Sequence, residues 1–335
     1  MTTTRRETYS PVFWAFLLIA LGVMWLLFQA HIFSSANLIV LLRLWPIALI
    51  ALGLELLIGR GSRATGLLIG AGTILLLLAL MAAGPALGLA PSTEVKTFEQ
   101  SVPLQEATSA QMNLDLSVGR ATVQALDSDS ATLIDADLSY VGIVNFNVSG
   151  NSGEKFVTLS VQNDSSSQIF DFLGLSLGQD QLHWNVGLTP RIPLDLRLNG
   201  GVGDSTVNLS GLQLTRLSYN TGVGNSAITL PGSGSYAVSI NGGVGDTTVT
   251  FAAGAAVKAS INGGVGDLTL SLPEGAPIHL ETHGGLGSVH VPATLNRVGG
   301  DDRGGVWETA SYASSSDAAR ITISYTGGVG DLNVR

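Results

Sequence analysis

The sequence predicts an N-terminal three-helix α transmembrane bundle followed by an all-β domain, a parallel β-solenoid with a 21-residue repeat. Three observations point there. Residues 1–90 hold three apolar runs, each long enough to cross a bilayer core. A Gly-Gly-Val-Gly-Asp phrase then recurs, with the glycine before its apolar residue at 201, 222, 243, 264 and 285, a strict period of 21. Between these phrases apolar and polar residues alternate, the pattern of half-buried strands. A fixed period in this range marks a repeat architecture. The same strands arranged as an antiparallel β-sandwich of hairpins are the alternative.

Charge divides the chain in the same place. Of 16 basic and 25 acidic residues, residues 1–90 hold five and two, so residues 91–335 hold 11 and 23 and a net charge of −12. An acidic domain with no basic stripe repels nucleic acid and anionic surfaces, so no nucleic-acid partner is expected. There is no cysteine, which excludes disulfides, thiolate metal sites and a cysteine nucleophile.

The predicted spans are residues 11–33, 37–58 and 66–90, and the partner they imply is the lipid bilayer. The first run exceeds the h-region of a signal peptide and lacks a small-x-small cleavage site, so it is read as an anchor. Arg5 and Arg6 precede it, the first hairpin has no Lys or Arg, and the second has Arg60 and Arg63. The positive-inside rule then puts the N-terminus in the cytoplasm and residues 91–335 outside, in a multi-pass protein of the bacterial plasma membrane. Arg43 and Glu55 lie within the second span. Either they snorkel to the nearer interface, or they contact a membrane partner.

Ser10-Pro11-Val12-Phe13-Trp14, followed by Leu17–Val23 and then by Leu44-Trp45-Pro46-Ile47 with Ile50-Ala51-Leu52-Gly53-Leu54, resembles the membrane region of LiaI/LiaF-like bacterial proteins. Further on, His183-Trp184-Asn185-Val186 and Pro190–Leu196 run directly into the first glycine phrase. That stretch resembles the C-terminal domain of LiaF-like proteins and the related toast-rack adhesin-type domains. The resemblance implies an accessory protein of a cell-envelope stress response. Such a protein modulates a membrane histidine kinase through its membrane helices, and its outer domain responds to damage. The alternative, from another class, is a structural or adhesive surface module held by the anchor. A self-associated copy is a further candidate partner.

After a polar exit at residues 90–93, Met112, Leu114, Leu116 and Val118 alternate up to Gly119, and Ala121, Val123 and Ala125 follow. This copies the later unit at an offset of 84 residues, four periods. Residues 132–147 and 155–162 are further strands. Ile169–Leu175 is either a core strand or an exposed apolar loop.

The clear repeats cover residues 194–293 and 320–335, and each column has a physical role. Asn199, Asn220, Asn241 and Asn262 would form an amide ladder, with His283 in the next place. Gly201, Gly203, Gly222, Gly224, Gly243, Gly245, Gly264, Gly266, Gly285, Gly287, Gly328 and Gly330 permit positive φ and close backbone approach. Val202, Val223, Val244, Val265 and Leu286 are expected to point into the core. Asp204, Asp246 and Asp267 either accept backbone N–H bonds at a turn or form a calcium ladder. Asn225 and Ser288 interrupt that acidic column, and the period differs from the nine-residue calcium-binding β-roll. The last phrase, around Gly328, falls 43 residues after Gly285. The excursion at 294–319 before it either caps the array or leaves a strand edge for docking.

No Gly-x-Ser-x-Gly, no phosphate loop ending in Gly-Lys-Ser/Thr and no His-Glu-x-x-His occurs. His279, His283 and His290 are near in sequence, but His279 faces solvent on its strand while His283 takes a place in the amide column, so no convergent metal site is expected. No catalytic residue and no cofactor are expected.

Overall fold

The computed structural model describes residues 95–162, 182–301, 304–316 and 319–335, with isolated positions between 44 and 87. Contacts divide the chain into two compact units, Met1–Thr93 with Asp164–Leu177, and Glu94–Asn163 with Gly178–Arg335. The second unit contains twenty-one strands among the described residues. Its first part holds β1 (Lys96–Pro103), β2 (Ser109–Asp115), β3 (Arg120–Ala125), β4 (Thr132–Tyr140), β5 (Ile143–Gly150), β6 (Glu154–Gln162) and β7 (His183–Leu188). The repeats give β8 (Pro193–Asn199), β9 (Ser205–Asn208), β10 (Gln213–Asn220), β11 (Ser226–Thr229), β12 (Ser235–Asn241), β13 (Thr247–Thr250), β14 (Ala256–Asn262), β15 (Leu268–Ser271), β16 (Ile278–His283) and β17 (Val289–His290). The chain ends with β18 (Asn296–Asp301), β19 (Gly304–Glu308), β20 (Ile321–Thr326) and β21 (Leu332–Val334).

Each repeat sends its longer strand to one sheet and its shorter strand to the other. The shorter strands join a 10-stranded sheet in the order β1-β4-β7-β3-β9-β11-β13-β15-β21-β17. The longer ones join an 11-stranded sheet, β18-β19-β16-β20-β14-β12-β10-β8-β2-β6-β5. Neighbouring repeats pair in parallel at an offset of 21, as in Leu217↔Val238↔Ala259 and Val207↔Ile228↔Val249↔Leu270. Because side chains alternate along a strand, this register places the same column of every repeat inside. Leu196, Leu217, Ile240, Val249 and Leu270 are almost fully buried in one continuous core.

The expected fold class needs two corrections. First, the described positions before residue 90 are short helical fragments, and no helix among the described residues is long and apolar enough to cross a membrane. A three-helix bundle is therefore absent from the described residues. Most of the spans at 11–33, 37–58 and 66–90 lie outside them. Second, both sheets are mixed. At one end β1 pairs antiparallel with β4, β4 with β7, and β5 with β6. At the other end β18 and β19 form an antiparallel hairpin laid along β16. A purely parallel array would offer each end as a template for one more repeat in the same register, and the reversed strands replace that template at three of the four sheet edges.

Two offsets in the sequence also read differently in space. Residues 109–125, four periods before the first clear repeat, lie directly beside it, with β2 on β8 and β3 on β9. The last repeat does not follow the one before it. β20 sits between β14 and β16, and β21 sits between β15 and β17. The excursion meanwhile covers the β16 edge of the longer-strand sheet through β19.

The valine column contradicts its expected burial. Val118, Val202, Val223, Val244, Val265, Val329 and Leu286 bridge in parallel from unit to unit; Val118 and Val202 are partly covered, but Val223, Val265 and Val329 are exposed, as are Val244 at 51% and Leu286 at 74%. These residues sit at a corner where the close-packed glycine backbones fill the inner side, so their side chains point outward. Ile240→Ala should therefore cost about 2–5 kcal/mol, as a truncation in a packed core. Val244→Ser should stay within about 0.5 kcal/mol of the parent. Urea unfolding of the full chain measures both, and equal losses would return the valine column to the core.

Candidate functional site

The turn columns are where this sequence concentrates its unusual chemistry. The carboxamides stack as one chain of hydrogen bonds. Asn220 Nδ2 donates to Asn199 Oδ1, Asn241 Nδ2 to Asn220 Oδ1 and Asn262 Nδ2 to Asn241 Oδ1, each at 2.7 Å. Asn199 Nδ2 continues the chain to Asp115 Oδ1 at 2.5 Å. The in-register partners beyond Asn262 are Thr326 and then His283, so the amide run stops where the last repeat is inserted.

The acidic column uses its side chains to hold the next turn. Asp204 Oδ1 accepts from Asn225 N–H at 2.9 Å, and Asn225 Oδ1 accepts from Asp246 N–H at 3.1 Å. Asp246 and Asp267 accept from the backbones of Asp267 and Asp331, at 2.9 and 2.8 Å. Asp331 closes the series on Ser288 N–H at 2.7 Å. Asparagine at 225 fits because an amide oxygen accepts as a carboxylate oxygen does. Among the described residues no group of three or more His, Cys, Asp or Glu is placed to hold a metal ion.

The glycines let the turns approach. Gly245 has φ +128°, and a Cβ there would lie 2.2 Å from Gly224 O. Gly243 would place one 1.9 Å from Gly222 O. The first case combines forbidden backbone and forbidden contact, so no side chain fits.

A buried hydroxyl column beside the turns was not foreseen. Ser205, Ser226 and Thr247 follow the acidic column by one residue and are all buried. Ser205 Oγ lies 2.6 Å from the Tyr219 hydroxyl and 2.9 Å from Ser226 Oγ. The readable signal was a Ser or Thr at an inward place of an alternating strand, which must find a partner inside. Tyr236, 4% exposed, likewise donates its hydroxyl to Pro231 O at 2.5 Å. Burial in an apolar setting pushes its phenol well above the ordinary 10.0.

The histidines do not converge. His279 Nδ1 is 2.8 Å from Glu308 Oε1, with its ring 5.3 Å from that of Tyr312. His283 Nε2 is 3.2 Å from Glu281 Oε1, and His183 Nε2 is 3.6 Å from Asp137 Oδ2 on the other sheet. Arg43, Glu55 and Ile169–Leu175 lie outside the described residues.

Residues 12–57 match the family model of the LiaI-LiaF-like transmembrane region. Residues 91–250 match that of the N-terminal domain of toast_rack. No curated protein matches the chain. Among solved structures, a candidate cell adhesion protein from Clostridium sporogenes is similar at 20% identity and TM-score 0.52, over 72% of this chain and 99% of that one. That level of likeness concerns the fold. A candidate adhesin from Bacteroides fragilis aligns at 12% identity and TM-score 0.27, over 73% of this chain and 99% of that one.

Two outcomes follow from the turn and the buried phenol. Gly245→Ala should destabilise far more than Gly234→Ala. Gly234 also has positive φ, but a Cβ there meets nothing within 4 Å, leaving a backbone penalty of about 1–2 kcal/mol. Comparable unfolding midpoints would remove the close-approach argument. The raised Tyr236 pKa means that the unfolded chain loses its phenolic proton first. The resulting stability is complete below pH 10 and declines as the pH rises beyond it. Tyr236→Phe should flatten that alkaline decline while losing about 1 kcal/mol at neutral pH. An unchanged alkaline slope in thermal melts would reject this.

Proposed function

We propose that this chain, which joins a LiaI-LiaF-like transmembrane region to an N-terminal toast-rack domain, is a membrane-anchored cell-surface module serving as an accessory to a bacterial envelope stress response. In this reading it modulates a membrane histidine kinase and performs no catalysis of its own. The observation that carries the proposal is the pairing of those two regions in one chain, each in the position that the resemblance implies. The turn columns support it, because their amides, carboxylates and glycines are engaged in holding one repeat to the next. A rigid outer body of this kind transmits or presents a signal. The Lys/Arg bias of the short flanking segments supports the outer placement of the β region, since Arg5 and Arg6 precede the first apolar run and Arg60 and Arg63 lie between the second and third.

The likeness to the Clostridium sporogenes structure favours one second reading, adhesion by the outer domain. Deleting the gene should change the output of the envelope-stress kinase under cell-wall damage, and a chain truncated after residue 93 should restore much of the effect. Unchanged kinase output, together with loss of cell or cell-wall attachment, would decide for adhesion. Protease added to intact cells should remove residues 95–335. Protection of that segment until the cells are broken would overturn the outer placement.

A further inference from the structure

The 321–335 segment fills a slot between two repeats that are already in register with each other. On one wall Val257, Ala259, Ile261 and Asn262 pair with Ile321, Ile323, Tyr325 and Thr326. On the other wall the same four residues pair with Ile278, Leu280, Thr282 and His283. Each wall residue is followed 21 positions later by its counterpart on the other wall, the offset at which β10, β12 and β14 pair directly. The second sheet behaves alike, with Leu268 and Val289 both opposite Leu332. At the turn, Val265 and Leu286 both bridge to Val329. Asp267 Oδ1 accepts from Asp331 N–H, and Asp331 Oδ1 in turn accepts from Ser288 N–H, so Asp331 stands between two turns of the column. Removing the inserted segment therefore leaves two walls that can close without any slip.

The inserted segment supplies the two strands and the glycine turn of a repeat. It buries Ile321, Ile323, Tyr325, Leu332 and Val334, apolar surface that leaving the slot would expose to water. It also marks a seam, because Thr326 replaces the carboxamide and the Asn ladder ends at Asn262. Residues 309–320 join it to β19, a length that spans up to about 40 Å once the contacts of Thr309 with Ala276 and Ile278 and of Tyr312 with His279 are released.

We propose that 321–335 is an exchangeable repeat whose partner is a second copy of this chain. It leaves its own slot and occupies the equivalent slot of the other copy, which returns its own segment. Direct closure of the vacated walls in their shared register provides a compact intermediate, which lowers the barrier to release. A second copy is the fitting occupant because the slot selects an element with this column pattern, and another copy carries the same one. Exchange of an identical element is a low-cost route to a dimer.

The chain has no cysteine, so introduced cysteines report cleanly. Ser260 and Ser324 are direct neighbours across the seam and are not buried. Full-length Ser260→Cys and Ser324→Cys chains, mixed in detergent and oxidised, should form a covalent heterodimer. Its yield should be at least tenfold that of a Ser239→Cys and Ser324→Cys mixture, because Ser239 pairs within the repeats away from the slot. The double variant Ser260→Cys/Ser324→Cys should cross-link within one chain and abolish exchange. Ser260→Cys/Glu281→Cys tests closure. With the segment in place, these positions are two strand spacings apart, about 9.6 Å, beyond the roughly 7 Å reach of a disulfide. Cross-linking of this pair supports release. A heterodimer yield equal to the control overturns exchange, even if the closure pair forms, since release without transfer leaves no second copy in the slot. Failure of the single-chain Ser260→Cys/Ser324→Cys bond overturns the placement of the segment itself.

Discussion

Parallel pairing at a fixed offset of 21 residues governs this structure, because it forces every column to satisfy itself through its own copies. A backbone N–H at a turn, such as that of Val244, reaches the carbonyl of Gly222 one repeat away, and the N–H of Gly224 reaches Val244 in the other direction. Such pairing requires the backbones to come within contact distance at the corner, which glycine alone permits at 243 and 245. Once the turns are that close, identical side chains stack at one strand spacing. Asparagine then becomes a self-complementary donor and acceptor, and aspartate caps the following N–H. The core follows from the same offset, since alternation inside each strand is multiplied into continuous apolar columns.

The ends show what the offset cannot provide. A parallel ladder has no internal stop, and each further repeat would find a willing edge. The chain stops it by changing direction, with β5 against β6 at one end and the β18–β19 hairpin against β16 at the other. On the shorter-strand sheet the last member, Val289–His290, is only two residues long, another way of limiting an edge. The His279–Glu308 pair and the placement of the Arg320 guanidinium 4.8 Å from the Tyr312 ring hold the excursion against the repeats it covers.

Much of this was legible because the information is local and repeated. Strand alternation, the offset of 21 and the stacking of Asn199 through Asn262 follow from residue type and spacing alone. The outward valines were misread because periodicity reports which residues share a column but not which way the column faces. At a corner lined by glycine, backbone occupies the inside, and hydrophobicity gives no sign of it. The mixed sheets at the ends depend on pairing between segments with no common period, such as β4 with β7, for which no local signal exists. The buried Ser205, Ser226 and Tyr219 hydroxyls satisfy one another, and only the packing of both sheets brings them together.

The position of the last repeat was hidden for a different reason. Its residues carry the same column pattern as every other unit, so pattern cannot distinguish the place before β16 from the place after it. The offset of 43 is consistent with either. What separates them is the cover on β16: with β19 already lying along the outer edge, the remaining in-register place is between β14 and β16. The price of that solution is a seam whose two walls match each other as well as they match what lies between them. A repeat protein reuses one interface many times, and the identity that makes each step stable also makes the steps interchangeable. Specificity at the seam therefore has to come from the tether and the hairpin, the parts of this domain that do not repeat.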